Sequence, residues 1–504
     1  MELQRIQVTD LLYLMPELIL VIAAVILSIA DMIMPNRIHR AWIGWGTFVS
    51  LFISGAYVIT QLGLEQPIAI LNQSYRVDDF ALIFKLVFLA GAAFSVLMSL
   101  GLKKQELGTD DVGEYYYFYL PATVGAMIMA SSADLIMLFI GLELLSITTY
   151  VLVGMRKRVS ISSESAFKYI VLGGISSAFI LYGMSFLYGL SGSTNLFDIK
   201  SALGTQYDDF AMLIYVSFFL IIAGIGFKIA AAPFHAWAPD VYQGASSPVA
   251  AYLAVVSKAA GIALLFRIVY VVYYGLGTPE QPFTDDILFA LAAIAALAMV
   301  VGNTMALRQE NAKRLLALSG VANAGYLLVP IVGPPDLFHS NHFAEIMYYL
   351  IAYLFMTIGA FVAVSMISQS EGHDELRGFA GLYHRAPWTA VAIVIILLSL
   401  AGLPITGGFF GKFFILIGTI QIQYYWLAAV MIITSVISFY FYFGFIRQMF
   451  MRTGAGNEAI TVHPVLGITL WITVIATVLL GIFPGQVLAF LDTYNQLFSE
   501  FLAP

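Results

Sequence analysis

Six of the 23 basic residues in this 504-residue sequence stand inside long apolar runs: Lys85, Lys168, Lys228, Lys258, Arg267 and Lys412. One acid, Glu143, lies in ADLIMLFIGLELLSITTYVLVG, about ten residues from the start of the run and so roughly 15 Å deep at 1.5 Å per residue. A charge at the centre of a bilayer costs about 3 kcal/mol or more unless it is paired or hydrated. Amines and a carboxylate held there have one chemistry open to them, the exchange of protons.

Glu143 must be neutral, paired or hydrated, and a lysine on a neighbouring helix is its natural partner. The plain alternative is a polar contact that fixes helix packing. At Lys228 burial opposes the charge and a nearby carboxylate supports it, so a moving partner would switch the amine between donor and acceptor. The alternative is a lysine that snorkels to the headgroups. Lys258 stands about twelve residues into its run, roughly 18 Å deep and hard to snorkel from. Lys412 has no acid nearby in sequence and is read either as a relay or as a cap on the C-terminal end of a half-helix. His235, in APFHAW, either passes protons onward or hydrogen-bonds a freed carbonyl. Lys85 follows Asp78 and Asp79, Lys168 follows Glu164, and Arg267 nears a helix end, so snorkelling or local pairing explains these three. Asp134 is read as a helix cap. His373 and His384 fall in loops without metal-ligand spacing.

The elements that must position these groups are membrane helices. Hydrophobic residues make up 61% of the chain and charged ones 11%, against roughly 25% charged in soluble domains. Cysteine is absent, so no disulfide, thiolate-held zinc or iron–sulfur cluster is expected on this chain, and any electron transfer happens elsewhere. The start, MELQRIQVTD, leads into a retained helix and not a cleaved signal. Nothing in the charge pattern points to nucleic acid.

Apolar runs of about 20 residues, enough to cross roughly 30 Å of hydrocarbon, are read as about fourteen spans, all-α and in one domain. They begin near Leu11, Ala41, Phe80, Tyr116, Ala133, Glu164, Asp209, Ser246, Asp286, Arg314, His342, Pro387, Gln423 and Pro464. Breaks are placed at QSYRVDD, TQYDD, PFTDD and GPPDLFHSNH. With both termini outside, the inner loops hold Arg37, Arg40, Lys103, Lys104, Arg156, Lys157, Arg158, Arg308, Lys313, Arg314, Arg377, Arg385, Arg447 and Arg452. The outer segments hold only Arg5, Arg76 and Lys200, the asymmetry expected of an oriented membrane protein.

Two spans are interrupted in a matching way. The seventh runs into GFKIAAAPFHAWAPD and the twelfth contains SLAGLPITGGFFGKFF, where proline removes backbone donors. They lie five spans apart. The organisation expected is three N-terminal helices over about 11–110, two five-helix repeats over about 115–275 and 285–452, and a C-terminal helix and tail over about 464–504. An odd helix count inverts the second repeat, as in many secondary transporters. Lysine beside unwound backbone at membrane depth suggests an internal wet path.

The segments LLYLMPELILVIAAVILSIAD, FIGLELLSITTYVLVG, SAFKYIVLGGISSAFILYGMSFLYGLSG, GFKIAAAPFHAWAPDVYQGASSPVAAYLAVVSKAAG, NAKRLLALSGVANAGYLL and LAGLPITGGFFGKFFIL carry a resemblance over nearly the whole chain. They resemble the subunit N family of bacterial NADH-quinone oxidoreductase, complex I. The PFHAWAPD to SKAAG block is similar to the wider antiporter-like superfamily, while LMPELIL and Lys412 point to subunit N within it. The resemblance implies fourteen helices, two inverted five-helix repeats and discontinuous helices seven and twelve. It also implies that Glu143 pairs with Lys228 and that protons pass by Lys258 to Lys412.

The expected role is that of a proton-translocating, multi-pass subunit of the bacterial inner membrane. Its partners would be the other membrane subunits of complex I, including other antiporter-like ones, and the lipid bilayer. NADH, FMN, iron–sulfur clusters and quinone would belong to partner subunits. A cation/proton antiporter subunit of a multi-subunit exchanger, and a structural membrane subunit whose charges only orient helices, are the competing readings.

Overall fold

The structure, a computed structural model, describes residues 8–35, 39–64, 66–102, 113–277, 283–333, 342–453 and 462–493. Arg5, Arg37, Lys103 and Lys104, used above to orient the chain, lie outside these residues, as do most of GPPDLFHSNH and the tail from 494. Among the described residues, twelve helices are long and apolar enough to cross a membrane. The chain is a polytopic, all-α membrane protein.

Helices α1 (Met15–Ile33) and α2 (Ala41–Thr60) lead to a hairpin of β1 (Ile68–Ile70) and β2 (Tyr75–Val77), and α3 (Asp79–Leu100) follows. The hairpin pairs Ile68 with Val77 and Ile70 with Tyr75. It stands where the sequence suggested only a break. Three-residue strands are too short to show alternation, and the turn is made by Leu71, Asn72 and Gln73 in left-handed conformation.

Next come α4 (Tyr119–Ser131), α5 (Leu135–Gly154), α6 (Ser160–Ser191) and α7 (Leu196–Ile229). At 13 residues, α4 falls short of a full crossing alone; the helical turn Gly113–Tyr117 precedes it. The acidic TQYDD stretch is itself helical, and the break expected there falls one residue on. Helix α7 starts at Leu196 with Asn195 accepting from Phe197 N and Asp198 N, and its two segments meet at Phe210, whose backbone is non-helical (φ −128°, ψ 19°). No proline interrupts that stretch; the acidic residues close the first segment of α7, and the second, 211–229, is long enough to cross hydrocarbon without them.

The middle of the chain forms α8 (Trp237–Gly244), α9 (Ser247–Tyr273), α10 (Phe283–Ala306) and α11 (Ala312–Leu328). The second half adds α12 (His342–Glu371), α13 (Pro387–Ala401), α14 (Gly407–Gln421), α15 (Tyr425–Met451), α16 (Pro464–Ile482) and α17 (Pro484–Thr493). PFTDD is in part the first turn of α10, where Asp285 and Asp286 suit the positive end of the helix dipole.

The bundle is built around α9 and α11, whose most apolar stretches are buried along their whole length. Helix α9 packs against α3, α4, α7 and α12. Small residues make that approach possible: a β-carbon on Gly261 would lie 2.5 Å from Ile229 Cγ2. Helix α9 is also wound as a π-helix at Leu253–Ser257, immediately before Lys258, and again at Ile268–Tyr273. Such turns hold one residue more than an α-turn and gather at functional sites.

The two ends of the bundle differ. At one, the hairpin joins the start of α3, and Phe343 in the first turn of α12 packs on Phe80 at 5.4 Å between ring centres. At the other, Lys313 pairs with Asp374 at 2.9 Å and Arg314 with Asp240 at 2.6 Å.

Candidate functional site

Both expected interruptions are present. Helix α7 ends at Ile229, with Ala230 in left-handed conformation closing it onto the Gly226 and Phe227 carbonyls, and α8 starts at Trp237. Trp237 Nε1 donates to the Phe227 carbonyl at 2.9 Å and stitches the two sides together, while Tyr169 stacks on the same indole at 4.7 Å. Helix α13 ends at Ala401, with Gly402 at φ +87° closing it onto Leu398 and Ser399. The chain then restarts as α14 at Gly407. Gly408 has no room for a side chain, because a β-carbon there would run into the Ser399 carbonyl, and its N–H is held by Ser399 Oγ at 3.1 Å.

Lys228 is the penultimate residue of α7, where the negative end of the helix dipole favours an ammonium. Its Nζ donates to Ser146 Oγ on α5 at 2.8 Å. Ser146 stands three residues beyond Glu143 on that helix, so the acid and the hydroxyl are neighbours on one face. The Glu143–Lys228 ion pair expected from the sequence is therefore not closed in this arrangement. The amine is on the hydroxyl, and Glu143 Oε1 is buried without a hydrogen-bond partner. A serine that bids for the same ammonium is the physical reason, and an ordinary serine in a membrane helix gave no signal of it.

Lys258 is 2% exposed. Its Nζ donates to the Gly320 carbonyl of α11 and lies 5.8 Å from the centre of the Tyr353 ring. Gly320 leaves space for it, since a β-carbon there would sit 3.3 Å from Nζ. One turn along α9 from Lys258, Gly261 packs against the stem of Lys228. A β-carbon on Gly261 would be 3.5 Å from Lys228 Cγ.

Lys412, in the second turn of α14, reaches back over its break. Its Nζ donates to the Leu400 carbonyl at 3.0 Å and lies 4.9 Å from the centre of the Tyr326 ring. It borders an open groove of about 180 Å³ whose lining is mainly apolar, with Phe409, Leu416 and Val436, and to which Ser435 adds a hydroxyl.

Between Lys258 and Lys412 lies a polar chain that sequence reasoning did not single out. Ser319, beside Gly320, is hydrogen-bonded to Tyr442. Asn323 Nδ2 donates to the Ser319 carbonyl at 2.9 Å, and Tyr349 donates to Asn323 Oδ1 at 2.5 Å. The Tyr349 and Tyr326 rings are 6.4 Å apart, and the Tyr326 hydroxyl lies 3.0 Å from both Thr434 and Ser435. Hydroxyls and a carboxamide that donate and accept in turn can order water between two amines. One signal was available: Tyr349 and Tyr353 are four apart on one helical face.

The remaining residues fall elsewhere. His235 stands in the α7–α8 break, but its Nε2 faces Met305 Sδ at 3.4 Å and none of the three lysines. Lys168 pairs with Glu164 at 2.7 Å, as expected, and also with Asp240 at 2.8 Å. Asp134 caps α5 by accepting from Ile136 N at 2.8 Å. Lys85 does not snorkel: it is fully buried and bonded to Glu17 of α1 at 2.8 Å and to Tyr75 at 2.9 Å. Arg267 is likewise 1% exposed, with NH2 at 2.8 Å from both carboxylate oxygens of Asp78.

A bundle with two interrupted helices and a buried lysine at each defines an antiporter-like membrane subunit, and sequence comparison agrees. The family described as NADH:quinone oxidoreductase/Mrp antiporter, TM, matches residues 132–438, which hold both breaks and all four candidate residues. The NADH-quinone oxidoreductase subunit N of Paenibacillus sp. (strain JDR-2) is 52% identical over 499 residues, 96% of each chain. The chain belongs to the NADH-quinone oxidoreductase subunit N family. A chain of respiratory complex I from Thermus thermophilus superposes with a TM-score of 0.76 at 31% identity, covering 94% of this chain and 98% of that one. A chain of the Mrp complex from Dietzia sp. DQ12-45-1b, 18% identical, shares the fold with a TM-score of 0.80 over 98% of this chain and 99% of that one.

Proposed function

We propose that this chain is the proton-translocating membrane subunit of an NADH:quinone oxidoreductase, with Glu143, Lys228, Lys258 and Lys412 as its proton path. The observation that carries this reading is the parted pair: Lys228 sits on Ser146 while Glu143 Oε1, buried one turn away, has no partner. A lysine with two acceptors on one helix face has two positions, and the charge it leaves behind differs between them.

On this reading, quinone reduction in partner subunits alters the field at Glu143. When the carboxylate draws Lys228, the ammonium is held; when Lys228 returns to Ser146, it gives its proton towards Lys258. Lys258, cradled by a carbonyl and an aromatic face, passes it along the hydroxyl chain to Lys412. No covalent chemistry is required of this chain, and the electron carriers are assigned to partner subunits.

The same reading places both termini on the outer side of a bacterial inner membrane, with the arginine-rich end inside. It takes the segment Gly113–Ser131 and the pair α13–α14 as crossings, which makes fourteen, and groups about 115–275 and 285–452 as inverted repeats. His235, facing Met305, is left out of the path. The family model spans both Mrp antiporters and NADH:quinone oxidoreductases, and the 52% identity lies with a subunit N.

The test is NADH-driven proton pumping in membrane vesicles, with NADH oxidation followed in parallel, for Lys228→Ala and Lys412→Ala in complexes shown to be assembled. Both variants are expected to lose proton yield per NADH. Normal yield at normal oxidation rates would remove the path and leave charges that only orient helices.

A further inference from the structure

The path above ends at Lys412 with no group to receive its proton, and the structure supplies one that neither motif nor repeat pointed to. Glu345 lies in the first turn of α12 and is 1% exposed. It is one member of a file on a single face of that helix, because Glu345, Tyr349, Tyr353 and Thr357 recur at intervals of four residues. All four are buried. Tyr353 lies under Lys258, and Tyr349 is bonded to Asn323 in the chain that leads to Lys412. Glu345 is the next position along, towards the hairpin end of the bundle.

Helix α14 carries the matching surface. Gly411 and Gly418 are seven residues apart and so face the same way. A β-carbon on Gly411, the residue before Lys412, would run into the Tyr349 ring. A β-carbon on Gly418 would lie 2.8 Å and 2.9 Å from the two carboxyl oxygens of Glu345. The two glycines form a notch into which the tyrosine and the acid fit, and Gly418 lies six residues, about 9 Å, beyond Lys412 along the helix axis. Glu345 is buried in the first turn of its helix, and acids inside membrane segments mark ion pathways by default.

We propose that Glu345 is the proton-carrying group between Lys412 and the aqueous phase at the hairpin end. This deepens the reading of the chain as a proton path and rests on it. In the step, the Lys412 ammonium gives up one proton and becomes a neutral amine. The Glu345 carboxylate takes that proton through intervening water and becomes a carboxylic acid. The acid then releases it outward, towards the aqueous phase at the hairpin end, and returns to carboxylate. Charge is conserved at every stage, and one proton has moved outward.

The experiment compares Glu345→Gln, Glu345→Asp and Lys412→Ala in assembled complexes in membrane vesicles, reading protons translocated per NADH oxidised. Glutamine keeps the shape and hydrogen-bonding capacity of the acid but cannot carry a proton, so a purely structural role would tolerate it. The expected result is that Glu345→Gln loses proton yield to the level of Lys412→Ala, while Glu345→Asp retains more than half of it. Normal yield in Glu345→Gln, with Lys412→Ala defective, overturns the proposal and leaves the path to Lys412 standing. Normal yield in both overturns the path itself. Should Glu345→Gln not assemble, Gly418→Ala, which crowds the carboxyl from the other side, decides: a reduced yield supports the proposal and an unchanged one overturns it.

Discussion

The two broken helices solve one problem in opposite ways. At the first, Lys228 precedes the break, sits on the C-terminal end of its own half-helix and can choose between Ser146 and Glu143. At the second, Lys412 follows the break and reaches back to Leu400, at the C-terminal end of the other half-helix, over the face of Tyr326. One lysine is therefore paired with a variable charge, and the other with fixed dipoles. Fixed dipoles hold an ammonium at constant strength, whereas a carboxylate that can be approached or left makes the hold adjustable. On the proposed proton path, the first break is the one that switches and the second the one that receives.

Breaking the second break outright should have the largest effect. Gly408→Val places its side chain against the Ser399 backbone, which has nowhere to go, at a cost of roughly 3 kcal/mol or more. Loss of the assembled complex on a native gel is the expected outcome. Gly226→Ala, at the first break, meets only the Phe234 ring at 2.6 Å, and assembly should survive because a ring can swing. Next in size, Lys228→Arg and Lys412→Arg keep donor and charge, but a guanidinium does not release its proton. Both should assemble and oxidise NADH while losing proton yield as far as the alanine variants.

Glu143→Gln sharpens the contrast, since the first break sets a carboxylate and a hydroxyl on one helix face beside its lysine. Proton transfer through Lys228 should slow by roughly an order of magnitude, the scale of ~1.4 kcal/mol, as measured by single-turnover proton release. Ser146→Ala removes the competing acceptor and should bring Lys228 onto Glu143, visible as a shift of the carboxylate band in difference infrared spectra. The smallest effect belongs to Tyr326→Phe, which keeps the ring beneath Lys412 and removes only a hydroxyl; a change in proton yield of less than about twofold is expected where the cation–π contact is retained.

The parts legible in the sequence are those that violate the rules of a lipid-facing helix. Proline and glycine clusters announced both breaks, and lysines on apolar background announced Lys228, Lys258 and Lys412. What could not be read was whatever obeys those rules. Ser146 and Gly320 are common in membrane helices, yet one holds Lys228 and the other makes room for Lys258. Lys85 was read against its sequence neighbours Asp78 and Asp79, so its burial against Glu17, 68 residues earlier, was missed. TQYDD, by contrast, marked its break to within one residue, at Phe210, because an acidic cluster is costly in hydrocarbon and so falls where a span begins. Periodicity could not find the partners of Arg267 and Lys412 either, since both contacts depend on which helices lie side by side.

The bidentate hold of Asp78 on Arg267 has an electrical consequence. Arg267 stands nine residues from Lys258 on α9, about 13.5 Å along the axis, at the end where a proton could otherwise run straight out. An arginine bound to both oxygens of a carboxylate neither gives nor takes a proton, so that end of α9 behaves as an insulator. On the proposed path, conduction from Lys258 would then turn sideways, and the membrane potential would meet a plug rather than a leak.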